Sequence, residues 1–217
     1  MFDIVIVGGG GFGREVYLWA QKMANNVNYR LKGFIDDDPC PRGYTGDNLS
    51  LLGSIHSGEN QYQIEDTDRF IYAIGNIDTK KCIISDLKKR GAQFITLIHP
   101  TAAVAESAKI GEGVVVCPFC LISDRAVISD FAMLNFYSSC AHDTLVGKYS
   151  ILSPYATING FSEIGEEVFL GTHATATAYV KIGAYSKISA NSVAMKNTPK
   201  NSYVYGVPGK SMRIFTK

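Results

Sequence analysis

Residues 146–193 read, six at a time, VGKYSI-LSPYAT-INGFSE-IGEEVF-LGTHAT-ATAYVK-IGAYSK-ISANSV. Every hexad opens on an aliphatic residue or alanine, and its fifth residue is small. The frame continues outward without a slip. Stepping by six from Val104 to Ala194 meets only Val, Ile, Leu, Ala and one Cys. Stepping by six from Ala108 to Thr198 meets only Ala, Ser, Thr, Val and one Cys. An α-helix repeats at 3.6 and a half-buried strand at 2, so neither accounts for this period. A solenoid does. Each hexad is read as a short strand plus a corner, with three hexads closing one coil. The first position fills the interior, and the fifth is expected at the bend, where only a small side chain fits. Glycine recurs at the second position: Gly111, Gly147, Gly165, Gly171 and Gly183. Coils stacked at strand spacing, about 4.8 Å, cover one another's edges everywhere but at the two ends.

Residues 1–98 follow a different pattern. Asp3–Val7 is an apolar strand running into Gly8-Gly9-Gly10-Gly11-Phe12-Gly13, which contains GxGxxG at Gly8, Gly10 and Gly13. An amphipathic stretch follows from Arg14 to about Met23. Strands are predicted at Tyr29–Ile35, Arg69–Ile74 and Gln93–Ile98, with a helix at Thr79–Lys89. Residues 38–68 show no periodicity. Strands alternating with helices imply a parallel α/β sheet of Rossmann type. Glycines after a first strand let a phosphate approach the backbone at a helix N-terminus. Asp36, at the end of the second strand, stands where an acid meets a ribose or a base edge. The turn does not tell NAD from a nucleotide sugar, and a glycine turn without a ligand is the plain alternative. The expected fold class is therefore α/β + β: a small Rossmann-like domain at 1–98, then a β-helix at 99–217.

Composition excludes several classes. The 217 residues carry a net charge of +1, which gives no reason to expect nucleic acid as a partner. No apolar run is long enough to span a membrane. The N-terminal run is too short and uncharged for a secretory signal. Five cysteines without a scaffold pattern suit a reducing cytoplasm. The CxxC at Cys117 and Cys120 lacks a second pair and is read as structural. No metal site is expected, because a zinc carbonic anhydrase on this scaffold needs three histidine ligands and the solenoid offers only His142 and His173.

His142 and Asp143 fill the third and fourth positions of their hexad, so neither takes a slot reserved for apolar or small residues. They are expected outside the core, along a groove. A histidine titrates near neutral pH and is suited to take a proton from an attacking amine, while an adjacent acid fixes its tautomer. An exposed, inert histidine is the alternative. His173 lies five hexads on, which is not a multiple of three, so it falls on another face of the prism.

The chain resembles the NeuD/PglD-like sugar acyltransferases of bacterial surface-glycan synthesis. The resemblance rests on the turn at 8–13, Gly33-Phe34-Ile35-Asp36-Asp37-Asp38, Ala73-Ile74-Gly75-Asn76, His99-Pro100-Thr101-Ala102, the hexads, Leu134-Asn135, Ala141-His142-Asp143 and Gly206-Val207-Pro208-Gly209-Lys210. It implies a left-handed coil, a homotrimer and a cytoplasmic enzyme with no permanent cofactor that uses acetyl-CoA or another acyl-CoA as cosubstrate. It implies His142 as general base supported by Asp143. Acceptor contacts are implied at Gly8, Gly10, Gly11, Phe12, Gly13, Asp36, Asp37, Asn76 and Asn135, and CoA contacts at Gly171, His173, Ala190, Gly206, Pro208 and Lys210. The expected reaction is N-acylation of a UDP- or dTDP-linked amino sugar. The alternatives are O-acetylation of a sugar of the sialic acid type, an NAD-dependent oxidoreductase, and a non-catalytic scaffold. Two departures stand out: Phe12 replaces a frequent histidine, and Ile151 occupies the position of a second histidine.

Overall fold

The computed structural model describes residues 1–23, 29–38, 50–56, 58 and 60–213. The chain divides into two compact units, Met1–Thr96 and Leu97–Lys217.

The first unit is a parallel sheet. Its strands β1 (Phe2–Val7), β2 (Tyr29–Ile35), β3 (Leu51–Gly53) and β4 (Asp68–Tyr72) lie in the order β3-β2-β1-β4. Helix α1 (Gly11–Met23) follows β1, and α2 (Ile77–Lys89) follows β4. The central strand runs Ile4-Val5-Ile6-Val7 with every side chain buried, as a strand covered on both faces requires. Each helix buries one stripe: Val16 and Ala20 on α1, and Ile83, Ile84 and Leu87 on α2. The strand expected at Gln93–Ile98 is split. Phe94 makes a single bridge to Phe70, whereas Leu97–Ile98 pairs with Val115–Val116 as a first rung of the solenoid. The division between the units therefore falls two residues before the boundary read from the sequence.

Lys80 joins the buried stripe of α2, only 1% exposed, with its Nζ 5.6 Å from the centre of the Tyr72 ring. Burial pulls its pKa down to about 7. The unfolded chain holds this proton up to the ordinary lysine value near 10.5, and the folded chain releases it near 7. Stability should therefore rise between those two pH values and carry its full penalty, about 5 kcal/mol, below 7. Lys80→Met is expected to raise the melting temperature, with a larger gain at about pH 6 than at about pH 10. Thermal melts at the two pH values check this, and an equal shift at both would refute it.

The second unit is a three-faced parallel β-helix of two-residue strands. One face carries seven parallel rungs from Leu97–Ile98 to Ser202–Tyr205 and is closed by the antiparallel strand Lys210–Arg213. A second face runs from Ala103–Val104 to Val193–Ala194, and a third from Lys109–Ile110 to Lys181–Ile182. Strands pair with those eighteen residues away, such as Ser139↔Thr157 and Cys140↔Ile158. First-position residues are buried from Val116 to Ala194. Val104 and Ile110, on the first coil, are half-buried because fewer coils flank them.

The bend is not where the small residue suggested. The fourth position turns the chain, and the fifth points into the core. Every fourth-position residue from Phe119 to Asn191 has φ between 52° and 63°, and Gly113 has 64°. Left-handed backbone costs a non-glycine residue about 1 kcal/mol. It recurs here at Phe, Tyr, His, Asp, Glu and Arg, so side-chain propensity does not select it. Coil-to-coil hydrogen bonds and side-chain stacking offset the strain. Phe119, Tyr137, Tyr155 and His173 stack along one edge at centroid distances of 4.9, 5.0 and 4.7 Å. Buried fifth-position serines are satisfied between coils: Ser150 Oγ donates to the Gly165 carbonyl at 2.9 Å and accepts from Val168 N–H at 3.0 Å. The second-position glycines have a packing cause. A Cβ on Gly165 would sit 2.6 Å from Ala184 N, and one on Gly171 would sit 2.6 Å from Ala190 N.

Candidate active site

His142 and Asp143 stand where the second face of the prism turns into the third. Asp143 is the bending residue, with φ 58°, so its side chain leaves the corner next to that of His142. His142 Nδ1 lies 2.9 Å from Asp143 Oδ2. Both are outside the core, with half of the His142 side chain exposed. Arg125, one coil earlier at the same corner, grips the other side of Asp143 through Nε to Oδ1 at 2.8 Å and Nη2 to Oδ2 at 3.0 Å. Hydrogen bonds from Arg125 first, and His142 second, hold the Asp143 carboxyl below the usual carboxylate range. An ionised carboxylate only accepts, so Nδ1 carries the hydrogen and Nε2 presents its lone pair.

The next coil fixes the imidazole from above. Gly160 is eighteen residues on, and a Cβ there would sit 2.6 Å from His142 Cε1 and 2.8 Å from Nε2. Phe161, beside it, meets the imidazole edge-on at 5.0 Å and 80°, and Tyr179 stacks on Phe161 at 5.0 Å. Sequence reading missed Arg125, Gly160 and Phe161. Their signal was present: each is eighteen residues from Asp143 or His142, the length of one coil.

Asn135 and His173 do not join this group within one chain. Asn135 follows the rung Met133–Leu134 on the first face, and its Oδ1 accepts from Phe136 N–H at 2.8 Å. His173 belongs to the aromatic edge, against Tyr155. Gly171 and Ala190 touch across successive coils. In the tail, Val193 N–H donates to the Gly206 carbonyl at 3.1 Å, and Gly209 N–H donates to the Val193 carbonyl at 2.9 Å. The tail is thus stitched to the last rung, with Pro208 and Lys210 exposed.

In the first unit, the glycine turn, Asp36–Asp38 and Gly75–Asn76 follow β1, β2 and β4, so all lie at the carboxyl end of one parallel sheet. Ligands of doubly wound sheets bind there. The glycines sort into two kinds. A Cβ on Gly13 would fall 1.9 Å from the Gly8 carbonyl oxygen, one on Gly8 2.6 Å from Ile74, and one on Gly9 2.2 Å from the Phe34 ring. Those three serve the chain's own packing. Gly10 meets nothing within 4 Å, and Gly11 meets only the tip of Arg14, at 3.9 Å. Phe12 packs edge-on against Trp19.

The acids are tied in. Asp36 accepts from Gly9 N–H at 2.7 Å and from Asp38 N–H at 2.9 Å, holding the turn to the end of β2. Asp37 accepts from the N–H groups of Ile55 and His56 and pairs with the His56 ring. The Asn76 side chain caps α2 by accepting from Asp78 N–H. Asp36 and Asp37 also line a cleft of about 700 Å³ with Ser54, Asn60, Gln61 and Glu65. These last four lie in the stretch without periodicity and were not foreseen.

Residues 3–87 match the family model of the PglD N-terminal domain. Over 156 residues, 66% of this chain and 64% of the relative, the sequence is 31% identical to the GDP-perosamine N-acetyltransferase of Escherichia coli O157:H7. The chain spans between about half and two thirds of the curated relatives it matches first. The acetyltransferase domain of PglB from Neisseria gonorrhoeae FA1090 superposes with a TM-score of 0.85 at 25% identity, covering 98% of this chain and 100% of that one. PerB from Caulobacter crescentus, solved with CoA and GDP-perosamine, gives 0.82 at 26% identity, covering 98% of both chains. The resemblance to the NeuD/PglD-like acyltransferases, and the fold class that it implied, are borne out.

Proposed function

We propose that this chain, built on the fold of the sugar acetyltransferases it resembles, transfers an acyl group from CoA to the amino group of a nucleotide-linked amino sugar. Acetyl is the expected group and His142 the general base. The observation that carries the reading is the His142–Asp143 pair, with Nε2 presented outside the core of a solenoid whose relatives are named as sugar N-acetyltransferases. The amine nitrogen attacks the thioester carbon, and its proton passes to Nε2. The carbon–sulfur bond then breaks, and the CoA thiolate leaves with that proton. The products are an amide and free CoA, with no covalent enzyme intermediate. Neither Cys120 nor Cys140 is needed, and burial raises the pKa of both thiols, which makes them poor nucleophiles.

The nucleotide is placed on the first unit. Gly10 and Gly11 leave their backbone open to phosphates, and the cleft at Asp36 and Asp37 receives the nucleoside. CoA is placed along the last coils near Gly171, His173 and Ala190, with Lys210 near its phosphates. Gly206 and Pro208 shape the tail. Asn135 and His173, on another face from His142, reach the site only if a neighbouring copy supplies them, which fits a homotrimer. Among the described residues no helix is long and apolar enough to cross a membrane.

The test is thiol release from acetyl-CoA with a panel of acceptors: GDP-perosamine, UDP- and dTDP-amino sugars, sialic acid and plain sugars. Turnover is expected with one or more nucleotide-linked amines and not with the hydroxyl acceptors. Silence across the panel, with acetyl and longer donors alike, would overturn acyl transfer; turnover of sialic acid alone would replace N- by O-acylation.

A further inference from the structure

We propose that Arg125 is a positioning residue that acts through Asp143 to hold the His142 base in one orientation and one tautomer. The inference deepens the reading of His142 above and rests on it. Arg125 and Asp143 take the same corner position in successive coils, both with left-handed backbone, φ 54° and 58°. Equivalent backbone one coil apart sends both side chains off the same edge, so they meet because of the repeat.

The contact is a fork, not a loose ion pair. Nε and Nη2 reach the two carboxylate oxygens at 2.8 and 3.0 Å, and two parallel bonds leave the carboxylate a single orientation. In that orientation Oδ2 also lies 2.9 Å from His142 Nδ1. Arg125 is itself anchored. Its Nη1 lies 2.7 Å from Asp124 Oδ2. Its backbone N–H donates to Ser107 Oγ at 3.0 Å, and that hydroxyl donates to Asp124 Oδ1 at 2.6 Å. The brace spans three coils, from Ser107 through Asp124 and Arg125 to Asp143. Exposed ion pairs contribute little to stability, so the value of this one lies in orientation. With the guanidinium gone, Asp143 rotates among its rotamers, and Nδ1 loses a fixed acceptor. The imidazole then samples the other tautomer, whose Nε2 carries a hydrogen and takes no proton from an amine.

Two measurements on the full-length protein test this. The first needs no acceptor: nitrogen-15 NMR of the imidazoles, with the His142 signal identified by its loss in His142→Ala. Wild type should show the neutral ring protonated at Nδ1. Arg125→Met should move the signal towards the Nε2-protonated form, and Arg125→Lys, which keeps the charge without the fork, should restore it only in part. The second is kinetic, with acetyl-CoA and GDP-perosamine. Arg125→Met should lower kcat about tenfold with KM within about twofold, and should cost nothing further in an Asp143→Asn background. A wild-type tautomer in Arg125→Met overturns the proposal, as does a multiplied loss in the double variant. If His142→Ala turns over like wild type, the base reading falls instead, and the NMR comparison still decides whether Arg125 holds the ring. Should Arg125→Met fail to fold, Arg125→Lys carries both comparisons.

Discussion

Replacing His142 with alanine is expected to lower kcat by at least about a hundredfold and to leave the melting temperature nearly unchanged. The chemical argument concerns the proton. An amine that attacks a thioester becomes cationic at nitrogen and must lose that proton before the amide is stable. Nε2 is the acceptor that the geometry presents, since Nδ1 is committed to Asp143. The structural argument concerns burial. The imidazole side chain is half exposed, so its removal empties no core cavity. It also strands no charge, because Asp143 keeps its two bonds to Arg125. The deficit should narrow as the pH is raised from about 7 to about 9, where hydroxide increasingly takes the proton that Nε2 would otherwise accept from the attacking amine. A pH series of kcat and a thermal melt test both halves of this result. Turnover equal to wild type near pH 7 would remove His142 as the base.

Gly160→Ala should behave like a catalytic lesion although residue 160 has no reacting group. The added Cβ would fall 2.6 Å from His142 Cε1 and 2.8 Å from Nε2. Of the two, the imidazole yields, because it is an exposed side chain and Gly160 is part of a packed coil. Displacing a reacting group by about 1 Å can cost about a hundredfold, so kcat should fall between about tenfold and about a hundredfold. Stability should hold or rise by about 0.5 kcal/mol, since alanine restricts the unfolded chain where the native backbone tolerates it. The decisive comparison sets kcat against the melting temperature in one preparation. Loss of both together would mean that the coil, not the ring, has been disturbed, and that reading would be abandoned.

Most of the solenoid was legible because its rule is one-dimensional. Coils touch only their neighbours, so an apolar residue every six positions and a small one four further on are enough to specify the interior. Even so, the bend was assigned to the small fifth residue, whereas the left-handed turn lies at the fourth. The fourth position carries Phe119, Tyr137, Asp143 and His173, and no turn propensity flags such residues. Their conformation is imposed by stacking. In the first unit, β1 and β2 were legible from apolar runs and the glycine turn. Leu97–Ile98 looked like a sheet strand because a two-residue rung has the same composition. Ser54, Asn60 and Gln61 carry no periodic signal, so their part in the cleft with Asp36 and Asp37 emerged only on folding.

The sequence by itself determined the period of the solenoid, the residues that fill it and the exposure of the His142–Asp143 corner, since each follows from a residue's place in its own hexad. Only the tertiary structure decided what surrounds that corner. Arg125, Gly160 and Phe161 reach it from the coils before and after, at a separation of eighteen residues, where the contact depends on how three faces close and stack. It likewise set Asn135 apart from His142, because a position on one face of a prism is out of reach from another; the same separation of His173 already followed from its place five hexads on.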